Sequence, residues 1–113
     1  MRPGALDKLV SIVGDVEVDD GAGGTTSTPA PVLELEPAAI AQLTAEERLR
    51  GGVQAAEATH RVTLWYRPTV NVGHRVVYAD PHAGRVRTFE IVTVRNVDER
   101  GVELELEAVE RVS

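Results

Sequence analysis

The sequence predicts a mainly β protein: a small antiparallel β-barrel or sandwich of about six strands, with one short helix and a long flexible loop. Three observations carry that prediction. Residues 59–67 alternate strictly, with Val62, Leu64 and Tyr66 on one side and Arg61, Thr63, Trp65 and Arg67 on the other. A period of two over that length marks a half-buried strand. The same period recurs before and after, and clusters of turn residues separate the repeats.

Taken in order, residues 8–18 form the first predicted strand. Val10, Ile12, Gly14, Val16 and Val18 make its more apolar face, which is expected to be buried, and Leu9, Ser11, Val13, Asp15 and Glu17 make the other. Gly14 suggests a bulge or a close approach by a neighbouring backbone. Residues 19–31 contain Asp-Asp-Gly, Gly-Gly, a Thr/Ser run and Pro-Ala-Pro, without periodicity, and read as the long loop. A short strand follows at 32–36 and Pro37 is expected to end it or mark an edge. Residues 38–43 are apolar and helix-permissive. Thr44 to Glu47 matches a capping box, opening a helix through Arg50 that Gly51 and Gly52 terminate. Residues 53–58 are read as an extended lead-in to the central strand.

Beyond residue 67 the chain turns through Pro68 and Asn71 to Gly73 and returns along Val76 to Tyr78. Asp80-Pro81-His82-Ala83-Gly84 is a turn, with proline setting φ and glycine permitting positive φ. Residues 87–97 alternate again, and Asp98-Glu99-Arg100-Gly101 closes a hairpin. The last strand is expected to point Val102, Leu104, Leu106 and Ala108 inward, leaving Glu103, Glu105 and Glu107 as an acidic outer ribbon.

The 113 residues are most simply one domain, 1–113. Aromatic residues make up only 4% of them, so aliphatic side chains must fill the core. The net charge of −6 argues against a free-standing nucleic-acid binder, which normally carries a basic face. With no cysteine there is no disulfide framework, thiolate metal site or cysteine nucleophile. No signal peptide or membrane span is read, since no stretch approaches about 18 apolar residues.

Nothing in the chain spells catalysis. His60, His74 and His82 have no metal-ligand spacing, and no nucleophile elbow, phosphate loop or dinucleotide fingerprint occurs. Neither an enzyme nor a cofactor is expected. The candidate partner surface is Arg61, Trp65 and Arg67 on one face of the central strand, because Trp and Arg concentrate at energetic centres of interfaces. The second candidate is the loop, with Asp19, Asp20, Gly21, Gly23, Gly24, Thr25, Thr26, Ser27 and Thr28 as its contacting residues. A structural role for Trp65, covering a second core, remains open at this point.

Assembled, these features resemble the phage head–tail joining family, the small head-closure or stopper proteins of long-tailed phage necks. The resemblance lies in Thr59-His60-x-Val62-x-Leu64-x-Tyr66-Arg67, then Val70-x-x-Gly73-x-Arg75-Val76. It continues in Arg87-x-Phe89-x-Ile91-x-x-Val94 and Glu103-Leu104-x-Leu106-x-x-x-Glu110. Gly4-x-Leu6 before the first strand, Asp20-Gly21-x-Gly23-Gly24 after it, and a helix with Glu47 complete the order. Two departures are Leu33 or Leu35 where relatives often carry Trp, and Trp65 where they usually carry a polar residue. The second suggests a subunit contact particular to this protein.

The resemblance implies a barrel subunit that assembles with itself into a ring between the portal-side adaptor and the tail terminator or tail tube. Double-stranded DNA would pass through the lumen without sequence-specific binding, the 19–31 loop would project into that channel or order on a neighbour, and no membrane would be involved. It implies a place in the virion neck, assembled in the bacterial host cytoplasm, in phages or related gene-transfer particles. Two other readings stay open: a small β-barrel module binding a peptide or oligonucleotide, and a neighbouring neck protein such as the tail terminator.

Overall fold

The computed structural model describes residues 6–46 and 57–111. Six strands run in chain order: β1 (Lys8–Asp19), β2 (Thr25–Gln42), β3 (His60–Trp65), β4 (Arg75–Asp80), β5 (Arg85–Asn96) and β6 (Glu103–Arg111). All pairings are antiparallel, and the order β1-β2-β3-β6-β5-β4 closes on itself through a short pairing of Ser11–Val13 with Val77–Arg75. Closure leaves the barrel wall without an edge. The mainly β expectation holds, and the chain forms the barrel rather than the sandwich.

The interior is aliphatic, as the composition requires. Val10, Ile12, Val62, Leu64, Val76, Phe89, Ile91 and Leu106 are fully buried, with Ala38, Ala108, Leu104, Val70 and Tyr78 around them. Each strand residue among them comes from the inward-pointing set of its strand, so the period of two built the core directly. Two departures from strict alternation have local causes. In β5, Ile91 opposes Ala108 and Thr93 opposes Glu107, so Val92 is an inserted residue. That bulge reverses the parity and turns Val94, not Thr93, onto the core. In β2, Glu36 opposes Val10 but Leu33 opposes Ile12, a slip taken up where Leu35 adopts φ 51°.

Four expectations are corrected. The 19–31 loop is a β-hairpin: β1 runs to Asp19, β2 starts at Thr25, and the connection is only residues 20–24. The Thr/Ser run has no apolar period because both faces of this ribbon meet solvent, yet its β-branched threonines suit a strand. Asp20 shapes the turn, its carboxylate accepting from the Ala22 and Gly24 N–H groups. Second, Pro37 does not end β2. The strand continues through 38–42, paired with β3, which overrides the helix-permissive composition. Third, Val16 and Val18 stay about half exposed because the hairpin has by then left the barrel. Fourth, Val102 precedes β6 and is 52% exposed. The predicted helix and the lead-in after it fall mostly outside the described residues; residues 45 and 46 are helical.

Candidate interaction surfaces

The barrel has two unlike ends, and the strand parity explains both. At the end where β3 starts and β6 finishes, the inward-pointing sets run out into charge: His60 precedes Val62, Asp80 follows Tyr78, Arg87 precedes Phe89 and Glu110 follows Ala108. These four side chains meet. The Arg87 guanidinium donates to both Glu110 oxygens, at 2.8 and 3.0 Å, and to Asp80 Oδ2 at 3.1 Å. Its Nη2 lies 3.4 Å from His60 Nε2, and the group sits 5.0 Å from the centre of the Phe89 ring. Arg85 adds a longer contact to Glu110 at 3.6 Å.

This charged plug closes one mouth of the core. The Glu110 carboxyl is held below its ordinary range chiefly by the hydrogen bonds from Arg87. Burial works against the Asp80 carboxylate, but the Ala83 and His82 N–H groups and Arg87 outweigh it and lower its pKa. The Arg87 pKa is raised in turn, above all by Glu110. A bidentate arginine held by two carboxylates of neighbouring strands is a positioning device. Sequence reading missed it, although the signal was present: four alternating runs each end in a titratable residue with inward parity.

At the other end the mouth is filled by Val70, which is 3% exposed, and by half-buried Tyr66. From here the β1–β2 hairpin projects. Gly14 stands at its base, where an added Cβ would come within 3.0 Å of the His74 ring and 3.3 Å of Val32. The close approach is therefore made by the His74 and Val32 side chains, not by the neighbouring backbone expected from the sequence. Beyond it, Asp15 to Asp19 pair only with β2, about 17 Å of two-stranded ribbon. Paired residues share a face, so Val16, Val18, Thr26 and Thr28 form an uncharged side and Asp15, Glu17, Ser27 and Asp19 an acidic one. Asp15 is bound bidentately by Arg75, at 3.0 and 3.2 Å, and that bond lowers its pKa.

The first candidate surface lies on the outer wall. Arg61 and Trp65 project outward from β3 beside Glu107 and Glu103 of β6. Arg61 contacts Glu105 at 3.2 Å, and Arg95 of β5 reaches the same carboxylate at 3.1 Å. Arg67 lies past the end of β3, bonded to the Tyr66 carbonyl and 3.4 Å from Glu36. The structure thus aligns Arg61 with Trp65, while Arg67 belongs to the following turn. Trp65 is half-buried and outside the barrel core. Glu105 of the acidic β6 ribbon is therefore engaged rather than solvated. Glu107 Oε2 is buried with no hydrogen-bond partner among the described residues.

Among the described residues no group of three or more His, Cys, Asp or Glu is placed to hold a metal ion. No described helix is long and apolar enough to cross a membrane.

A family model described as phage head completion protein matches residues 1–111. Among solved structures, the solution structure of protein SF1141 from Shigella flexneri 2a superposes with a TM-score of 0.79. The two sequences are 20% identical, and the match covers 100% of this chain and 99% of that one, a likeness of fold alone. Among curated proteins nothing matches the chain.

Proposed function

Because the chain belongs to the phage head completion protein family, we propose that it acts as a head-closure subunit, assembling with copies of itself into a ring between the portal-side adaptor and the tail. The family is a structural one, serving the head–tail region of the virion. The family match over nearly the whole chain is the observation that carries the reading. In the proposed ring the barrel supplies the rigid wall, the Trp65 face contacts a neighbouring subunit, and the hairpin reaches out of the subunit to a partner. The half-buried Trp65 and the unsatisfied Glu107 oxygen motivate the first contact. The ribbon's exposed, uncharged face motivates the second. Duplex DNA would slide past an acidic subunit without being gripped.

The test is the mass of the purified protein alone and after mixing with portal-bearing heads that lack it. The expected result is a small species alone and a ring on the heads that restores tail joining. Tight oligonucleotide binding with no attachment to heads would overturn the reading in favour of a nucleic-acid module. The low aromatic content already weighs against that module, since single-strand binding relies on several stacking rings.

A further inference from the structure

We infer that the projecting hairpin receives an added β-strand from a partner protein along the free edge of β1, and that this strand alternates basic with apolar residues. The inference rests on the head-closure reading only for where such a partner is met.

The two edges of the ribbon are unequal. β4 accompanies β1 only as far as Val13, and β3 accompanies β2 only over 38–42. Both ribbon strands therefore have an outer edge. On β2 that edge contains Pro29 and Pro31, which oppose Asp15 and Val13. A proline inside a ribbon turns its nitrogen away from the partner strand, since it has no hydrogen to donate. The pairs Asp15–Pro29 and Val13–Pro31 are thus the ones whose backbone groups point outward. Alternation extends the outward set on β1 to Glu17 and Asp19. The β1 edge offers the N–H groups of Asp15, Glu17 and Asp19, whereas the β2 edge offers none at 29 and 31. Proline is a usual means of blunting an exposed edge. Here it blunts one edge and leaves the other open to strand addition.

Charge selects the occupant. Residues 14–30 contain Asp15, Glu17, Asp19 and Asp20 and no Lys, Arg or His. Arg75 answers Asp15, and among the described residues no salt bridge reaches Glu17, Asp19 or Asp20. An added strand would lay one side against these carboxylates and the other beside Val16 and Val18. Basic residues suit the first side and apolar residues the second. A second copy adding β1 to β1 would set acid beside acid, which opposes pairing. Duplex DNA would be repelled.

The experiment uses the full-length protein, isotope-labelled, with two synthetic peptides of identical composition. One alternates Lys with Val; the other carries them in separate blocks. The alternating peptide is expected to slow amide exchange at Asp15, Glu17 and Asp19 by about tenfold or more, and the block peptide is not. Glu17→Pro, which removes an outward donor, abolishes the protection, while Ser27→Pro on the other edge leaves it intact. If Glu17→Pro unravels the ribbon, seen as lost protection at Val16 and Val18, Glu17→Lys takes its place. That variant should bind the Lys–Val peptide several-fold more weakly, because one of the carboxylates facing it becomes a like charge. Equal binding of both peptides without edge protection would overturn the inference, as would edge protection arising from self-association alone. These measurements need no particle, so their failure is separate from failure of the head-closure reading.

Discussion

At the scale of the residue, Arg87 and Trp65 illustrate opposite relations between side chain and fold. Arg87 ties β5 to β4 and β6 and leans on Phe89, so its neighbours lose their counter-charge if it is shortened. Arg87→Met is expected to cost about 2 kcal/mol after allowance for partial solvent screening, read as a fall in melting temperature. The same knot sets an acid limit. Glu110, Asp80 and Asp15 have folded pKa values below their ordinary range. Their contribution is therefore present above the unfolded-state pKa of about 4 and is lost as pH falls through the lower folded values. Melting temperature should decline from about pH 5 downward, and less steeply in Arg87→Met; an identical slope in both proteins would refute the assignment. Trp65 lies outside the core. Trp65→Ala should impair ring formation on heads more than thermal stability, and equal loss of both would make it a structural residue.

The hairpin is the element whose character was hardest to read. Its Asp-Gly-x-Gly-Gly turn and Thr/Ser run are loop signals when a strand is defined by one buried face. A ribbon outside the barrel buries neither face, so the period that exposed the other strands is missing. An isolated two-stranded ribbon is marginally stable in water, which makes its extension costly unless something is gained by contact. Replacing residues 17–27 by Asn-Gly would join Val16 to Thr28, an inward-bonded pair suited to a two-residue turn. Melting of the barrel should shift by no more than about 0.5 kcal/mol, because none of the deleted residues touches the core. Head completion measured by complementation should fail. A truncated chain that completed heads normally would remove the hairpin from function.

For the whole molecule, barrel closure and net charge govern behaviour. The charge of −6 predicts no retention of duplex DNA at about 0.15 M salt in a gel-shift measurement. A stable complex there would contradict passive passage of DNA. Period two, turn chemistry and composition were enough to establish the strand count, the core residues Val62, Leu64, Leu104 and Leu106, and the family resemblance. All of these follow from chemistry local in the chain. Which face of β5 is buried, with Phe89 and Ile91 on it, came from the structure. Tertiary structure alone decided the neighbours: β3 beside β6, β1 closing on β4, the bulge that turns Val94 inward, and the meeting of His60, Asp80, Arg87 and Glu110. It also decided that residues 25–31 are strand and that one hairpin edge is open. Such features depend on which segments lie side by side, and strand pairing joins residues far apart in sequence through backbone groups that every residue shares.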